Sequence, residues 1–264
     1  MARRRRLDEE LVQQGFFPTR DRAMRAVMAG DVSTDGRRLD APGEQVIPGI
    51  FLHVRDARGG YVSRGGLKLE RGLDAFGVSA RGLSCLDVGC STGGFTDCLL
   101  RRGASSVLAV DVGYAQFDWA LRNDERVLLL ERTNIVNVPG QGRRACIDLA
   151  VCDVSFTSVS TVLPAVLELL RPGGRFLTLV KPQFEAGREE VGPGGVVSSP
   201  EVQLRVLEEV SGSFALAGLT PLACCPSPIR GHKGNREFLL LGGSTQDAPT
   251  LDLAAVVRDG AVSR

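Results

Sequence analysis

The chain has 264 residues, 43% of them hydrophobic and 24% charged, with a net charge of +1. This is an ordinary globular composition with room for one large domain, or for an α/β domain plus a small module. It excludes a polycation, and no apolar run approaches the roughly 18 residues that a membrane-spanning helix needs. The arginine-rich start, Arg3 to Arg6, is not followed by the apolar core of a secretion signal, so the expected location is the cytoplasm. The seven cysteines show no C-x-x-C spacing and sit mostly in apolar runs, as small core residues do rather than metal ligands. Only three of the 32 basic residues are lysines: Lys68, Lys181 and Lys233. Lysine can give up its proton when its surroundings lower its pKa, which arginine effectively cannot.

In chain order, Leu7 to Gln14 predicts a short helix with Asp8, Glu9 and Glu10 in its first turn and Gly15 as its stop. Thr19 caps a second helix whose apolar stripe is Ala23, Met24, Val27 and Met28, and Gly30 ends it. Val32 to Asp40 predicts a hairpin around Asp35-Gly36, and Ile50 to Val54 another strand. Residues 1–72 hold fourteen Lys and Arg against ten Asp and Glu, a surplus that suits a polyanionic partner or a solvated basic tail.

The order Arg6-Leu7-Asp8, Leu11, Gly15, Thr19-Arg20, Ala23, Val27, Gly30-Asp31-Val32, Gly36 resembles the S4 RNA-binding domain. That resemblance implies a small α+β RNA-binding module over 1–58, with Arg20, Arg22 and Arg25 on the second helix facing RNA, helped by the terminal arginines including Arg4 and Arg6. RNA bound in this way is read through backbone and shape. Asp56 to Gly60 reads as linker sequence, with the boundary between the two units set at 59–64, and Arg64, just past the glycines, is counted with the RNA-facing arginines.

From Leu67 to Phe76 a helix is expected, and from Leu83 onward strands and helices alternate. Strands are predicted at Cys85–Val88, Val107–Val112, Val127–Leu130, Leu149–Cys152, Arg175–Val180, Leu222–Cys225 and Glu237–Leu241. Helices are predicted at Gly93–Arg101, Val159–Leu170, Glu201–Leu216 and, in a C-terminal extension over 246–264, Leu251–Val257. Such alternation means a parallel, doubly wound sheet over 65–245, with its site at the strand carboxyl ends.

The first of these strands runs into Asp87-Val88-Gly89-Cys90-Ser91-Thr92-Gly93-Gly94. The spacing is D-x-G-x-x-x-G, neither the G-x-G-x-x-G of a nicotinamide site nor a P-loop. Asp111 ends the next strand, 24 residues after Asp87, where a carboxylate can take both hydroxyls of an adenosine ribose. Acids without a phosphate-binding pattern fit S-adenosylmethionine, which carries an ammonium and no phosphate. Gly89, Ser91, Thr92, Gly93 and Gly94 are the expected cradle. Asp153 also touches the cofactor, and Phe156 either stacks on adenine or belongs to the core.

Asp153 and Lys181 follow two strand ends, Glu237 opens the last strand region and Lys68 precedes the sheet. Strand ends of this fold meet in one cleft, so two of three lysines converge with two carboxylates. That set resembles the Lys-Asp-Lys-Glu tetrad of ribose 2′-O-methyltransferases. Through Cys90 to Asp97 (CSTGGFTD), Val180 to Glu185 (VKPQFE), Gly192 to Val197 (GPGGVV) and Gly234 to Phe238 (GNREF), the chain resembles the TlyA family. These are S4-linked rRNA cytidine 2′-O-methyltransferases once labelled haemolysins. The resemblance implies a Rossmann-like class I methyltransferase fold behind an S4 domain, S-adenosylmethionine as cofactor, rRNA or ribosomal subunits as partners, and Lys68, Asp153, Lys181 and Glu237 as the tetrad. Family members with an RNA-responsive linker carry a Trp there, whereas this chain reads Gly59-Gly60-Tyr61-Val62.

The chemistry follows from residue types. A ribose hydroxyl must lose its proton as it attacks a methyl carbon, and Lys181 is the residue expected to take it or to stabilise the forming alkoxide. Lys68 would lower the Lys181 pKa by repulsion, with Asp153 and Glu237 opposing that and fixing geometry. No metal is needed, and a monomer is favoured. His53 and His232 are not expected to be catalytic, though His232 sits in a loop that RNA can reach. Gly192 to Gly195 reads as a connecting loop or as a flap over substrate. Two other functions compete. A non-catalytic ribosome-assembly factor would transfer no methyl to rRNA, and a membrane-lytic protein would need an amphipathic or spanning segment that this sequence lacks.

Overall fold

The computed structural model describes residues 4–17, 19–34, 37–54, 61–245 and 249–259. The small first unit comprises β1 (Arg5–Arg6), α1 (Leu7–Gln13), α2 (Arg20–Ala29), β2 (Val32–Thr34), β3 (Arg37–Arg38), β4 (Gln45–Val46) and β5 (His53–Val54). Thr19 Oγ1 accepts the Arg22 amide at 3.4 Å, and Gly30, at φ 79°, closes α2 as expected. β2 pairs antiparallel with β3 and with β5, while the predicted turn Asp35-Gly36 lies outside the described residues. Arg5 and Arg6, read as part of a basic tail, instead pair antiparallel with Val46 and Gln45. Leu7, Leu11, Ala23, Val27, Val32, Leu39 and their neighbours form a core of their own.

The second unit contains α3 (Gly65–Ala75), β6 (Ser84–Val88), α4 (Gly94–Arg101), β7 (Ser106–Val110), α5 (Trp119–Arg122), β8 (Val127–Leu130), β9 (Ile147–Cys152), α6 (Val159–Leu169), β10 (Leu170–Val180), α7 (Pro182–Glu185), α8 (Pro200–Leu216), β11 (Thr220–Pro226), β12 (Phe238–Gly243) and α9 (Leu253–Asp259). The sheet order is β11-β12-β10-β9-β6-β7-β8. The α/β doubly wound reading holds, but the sheet is mixed. β8, β7, β6, β9 and β10 are parallel, whereas β12 runs antiparallel to both β10 and β11. The correction matters for the site, because the start of β12 then lies on the same sheet edge as the carboxyl ends of the parallel strands. Strand order reverses at β6, so the crevice between the ends of β6 and β9 is the switch point where ligands bind in such folds.

Two apolar layers sandwich the sheet. Val162, Val166, Phe176, Val206, Phe214 and Leu240 fill one face under α6 and α8, and Leu69, Leu73, Leu99, Leu177 and Leu239 fill the other under α3 and α4. The expected linker ends early. Asp56 to Gly60 fall outside the described residues, but Tyr61 is buried in the second layer and its hydroxyl donates to Glu70 at 2.7 Å. The C-terminal extension also joins the body, with Leu251, Leu253, Val256 and Val257 packing on the α6–α8 layer. Among the described residues no helix is long and apolar enough to cross a membrane. All seven cysteines are free thiols, five of them buried.

Candidate active site

The turn after β6 wraps over the end of β7, with Gly89 and Cys90 amides donating to the Val110 carbonyl at 2.9 and 3.3 Å. Gly89 sits at φ 78°, and a Cβ there would stand 2.8 Å from the Asp153 carbonyl oxygen, so only glycine lets the two strand ends close on each other. Gly93 and Gly94 then lead into α4, Gly94 against Ser63 of the segment before α3. Ser91 is exposed, and its amide donates to Asp111 Oδ2 at 2.7 Å, while Gly113 donates to Asp111 Oδ1 at 2.6 Å. Asp111 was expected to face ribose hydroxyls. Here it also ties the turn to the end of β7, and each oxygen keeps a second lone pair for a ligand.

Asp87 is fully buried. Its Oδ2 accepts from Thr96 Oγ1 at 2.7 Å, and its Oδ1 has no hydrogen-bond partner among the described residues. Burial pushes its carboxyl up to about 7, with the Thr96 hydroxyl pulling down and Asp153 pushing further up. An acid in this state wants a cation or a donor at Oδ1. That fits the ammonium-bearing end of S-adenosylmethionine, and the half-buried Asp111 fits its ribose. Phe156 is not a core residue: it is 91% exposed at φ 62°, its ring 4.9 Å from that of Phe184. A cleft of about 610 Å³ opens on the Thr92 side of the turn, lined by Arg38 and His53 of the small unit and by Tyr114 and Trp119.

All four residues of the expected tetrad converge. Lys68 is in α3, one turn before Gly72, where a Cβ would stand 3.1 Å from Leu177 Cδ1; the helix thus lies close on the sheet and holds the lysine over its edge. Its Nζ is 2.6 Å from Glu237 Oε2. Lys181 Nζ is 2.6 Å from Asp153 Oδ1 and donates to Ser155 Oγ at 2.9 Å. Each lysine therefore has its own carboxylate, a tighter arrangement than two ammoniums facing each other. Burial would lower the Lys68 pKa, but Asp153 and Glu237 outweigh it and hold the ammonium protonated, above the ordinary lysine value. Burial would likewise raise Asp153, but Lys68 and Lys181 together keep it ionised, below the ordinary aspartate value. Asp153 thus couples the two pairs.

Ser155 and Thr96 had no sequence signal beyond their place beside Asp153 and Asp87. Gly231 carries no such signal either. Its Cα approaches the tetrad so closely that a Cβ would fall 1.9 Å from Glu237 Oε1. Gly231→Ala is expected to displace the Glu237 carboxylate and strand the Lys68 charge, lowering stability by up to about 3–5 kcal/mol, the range for breaking a buried pair. Thermal unfolding and single-turnover methyl transfer of the variant check this.

On the small unit, Asp8 is buried and accepts from Arg6 at 3.0 and 2.9 Å and from Arg20 at 3.0 Å. Burial alone would raise its carboxyl, but the two guanidiniums hold it below the usual range. Arg6 and Arg20 thus stand side by side, half-exposed, on one acidic anchor. Arg4 and Arg22 are exposed and Arg25 pairs with Asp21. Arg64 lies near the tetrad instead, donating to the Arg230 carbonyl at 3.4 Å. His53 stays on the small unit, edge-on to Phe51, and His232 is exposed.

The FtsJ-like methyltransferase family model matches residues 61–244. The 16S/23S rRNA (cytidine-2′-O)-methyltransferase TlyA of Mycobacterium tuberculosis is 43% identical over 241 residues, 91% of this chain and 90% of that one. A solved structure described as a hemolysin, from Streptococcus thermophilus, is 40% identical with a TM-score of 0.77, over 100% of this chain and 98% of that one. A stretch of 51 residues is 41% identical to small ribosomal subunit protein uS4 of Leuconostoc citreum, covering 19% of this chain and 25% of that protein.

Proposed function

Since the chain belongs to the FtsJ-like methyltransferase family, and within it to the TlyA-type rRNA methyltransferases, we propose that it methylates the ribose 2′-hydroxyl of a cytidine in ribosomal RNA, with S-adenosylmethionine as donor. The observation that carries this reading is the pairing of Lys68 with Glu237 and Lys181 with Asp153 at the mouth of the Asp87–Gly94 turn. Asp87, Asp111 and the turn residues Gly89, Ser91, Thr92, Gly93 and Gly94 hold the cofactor, with the exposed ring of Phe156 available to stack on its adenine. Bound S-adenosylmethionine supplies a methyl group on a positively charged sulfur.

The protein's own residues then orient and deprotonate the acceptor. Lys181, once it has lost its own proton, would reach the ribose oxygen as a neutral amine and take the hydroxyl proton as that oxygen gains the methyl. Asp153 and Ser155 aim the amine, and the Lys68–Glu237 pair keeps the floor of the site fixed and charged. The small unit over 1–58 holds structured RNA through Arg4, Arg6, Arg20, Arg22 and Arg25, with Arg64 meeting the strand nearer the site; the short similarity to uS4 supports this. The protein works in the cytoplasm, where ribosomal subunits are assembled. The test is transfer of radiolabelled methyl to separated ribosomal subunits and to naked rRNA, followed by primer extension at low nucleotide concentration. A stop one nucleotide before a cytidine is expected, and no label in any rRNA would overturn the reading in favour of a non-catalytic assembly factor.

A further inference from the structure

Between Asp153 and α6 runs a short loop, residues 153–158, that presents one half of the tetrad and an exposed aromatic ring. Asp153 meets Lys181, Ser155 accepts from the same amine, and Phe156 stands in left-handed backbone with its ring in solvent. A bulky residue at positive φ is strained and holds only where neighbours over-determine it. One side of the loop is held by strand pairing, with the Asp153 amide donating to the Val88 carbonyl at 3.0 Å. The other side is held by Glu185. Its Oε2 accepts from Ser158 Oγ at 2.5 Å and its Oε1 from the Val159 amide at 2.8 Å. Ser158 is the N-cap of α6, accepting the Ser160 amide at 3.1 Å, so the carboxylate sits over the positive end of an eleven-residue helix.

Glu185 ends α7, the single turn that starts one residue after Lys181. Phe184, beside it, lies 5.8 Å beneath the Lys181 ammonium and touches Phe156. Burial pushes the Glu185 carboxyl up, and Ser158 and Val159 pull it back. Glu185 has no part in proton transfer, yet it ties the exit of β10, which carries Lys181, to the exit of β9, which carries Asp153.

We infer that Glu185 is a positioning residue: its carboxylate fixes the 153–158 loop, and through it Asp153, Ser155 and Phe156, against Lys181. The inference rests on the methyltransferase reading for its kinetic consequence but not for the tie itself. Two variants test it. Glu185→Ala removes both acceptors. Glu185→Gln keeps an oxygen for the Val159 amide and an amide that the Ser158 hydroxyl can accept. In the full-length protein, Glu185→Ala is expected to lower kcat for methyl transfer at least about tenfold with KM for the cofactor unchanged, the scale of a misplaced reacting group. Chymotrypsin cleavage after Phe156, mapped by mass spectrometry, is expected to accelerate at least about fivefold in the same variant, as for a locally opened segment. Glu185→Gln should restore both.

Wild-type kcat and wild-type cleavage at Phe156 in Glu185→Ala would overturn the inference. So would cleavage that rises equally at every site with a fall in Tm, since that marks a merely structural residue. A wild-type protein inert on rRNA would sink the functional reading, while the cleavage comparison would still decide the tie.

Discussion

Lys181→Met is expected to slow methyl transfer about 10³-fold, within the range for loss of a positioned acid–base group, while cofactor affinity stays close to wild type. The amine contacts Asp153 and Ser155 at the strand ends, and the residue is mostly buried at 8% exposure. Methionine keeps the volume and removes the nitrogen. The cofactor turn does not depend on Lys181, because its hydrogen bonds run to Val110, Asp111 and Thr96. Asp153 loses one of its two cations, but Lys68 still faces it, so the carboxylate is not left alone in a buried site.

The informative companion is Lys181→Arg. Arginine keeps the charge but cannot surrender its proton, and its fork cannot reproduce a single-point contact. If Lys181 takes the hydroxyl proton, the arginine variant is as slow as the methionine one. If the residue only stabilises charge on the oxygen, arginine recovers a large part of the rate. Single-turnover transfer to rRNA at saturating cofactor separates these outcomes, and isothermal titration with the cofactor checks that binding survives. A Lys181→Met enzyme within about threefold of wild type would remove Lys181 from the chemistry altogether, because general acid–base catalysis is worth far more than that.

The parts of this molecule legible in the sequence are those with long-range pattern or unusual residue types. The turn at Asp87 was readable because D-x-G-x-x-x-G follows a buried strand and departs from both nucleotide patterns. Lys68 and Lys181 stood out because lysine is so rare in this chain. Glu237 stands beside Lys68 as expected, although that expectation assumed a parallel strand. It reaches the cleft because β12 is antiparallel, so its amino end lies where the parallel strands finish. Strand direction leaves no mark on a short apolar run such as Phe238 to Leu241, which reads the same either way.

Other features were illegible for physical reasons. β1 and β4 are two residues each, too short for any periodicity. Asp8 and Glu10 looked like acids decorating the first turn of a helix, yet both are buried anchors for arginines, because tertiary contacts with Arg20 and the Gly49 amide enclose them. Tyr61 followed a glycine-rich linker and was counted with it. Only the packed structure shows Gly66 leaving space for its ring and Arg101 lying over it at 5.2 Å. Ser155, Thr96 and Gly231 are common residues whose importance comes entirely from what stands within a few ångströms of them.

Asp87→Asn is expected to have opposite effects on the unliganded and liganded protein. In the folded chain burial pushes the Asp87 carboxyl up to about 7 from an ordinary value of 3.8. Below about pH 3.8 both folded and unfolded chains hold the proton, and Asp87 makes no pH-dependent contribution. Between 3.8 and about 7 the unfolded chain releases it while the folded chain retains it, so stability falls as pH rises. Above 7 the cost is complete, roughly 4 kcal/mol at 1.36 kcal/mol for each pH unit. Asparagine carries no charge, and its oxygen can still accept from Thr96. The unliganded variant should therefore melt higher than wild type at pH 8 and show little difference at pH 4. Cofactor binding moves the other way. Ionised Asp87 offers Oδ1 to a cation, so wild-type affinity for S-adenosylmethionine should rise with pH up to about 7, by at most about tenfold per unit, and then level off. The variant should bind at least about tenfold more weakly at pH 8, the scale of a lost charge-assisted hydrogen bond, with no pH dependence from this group. Calorimetric titrations from pH 6 to 8 read both slopes. A wild-type affinity that is flat across that window, or an asparagine variant that binds as tightly as wild type, would show that the orphaned oxygen of Asp87 does not face the cofactor.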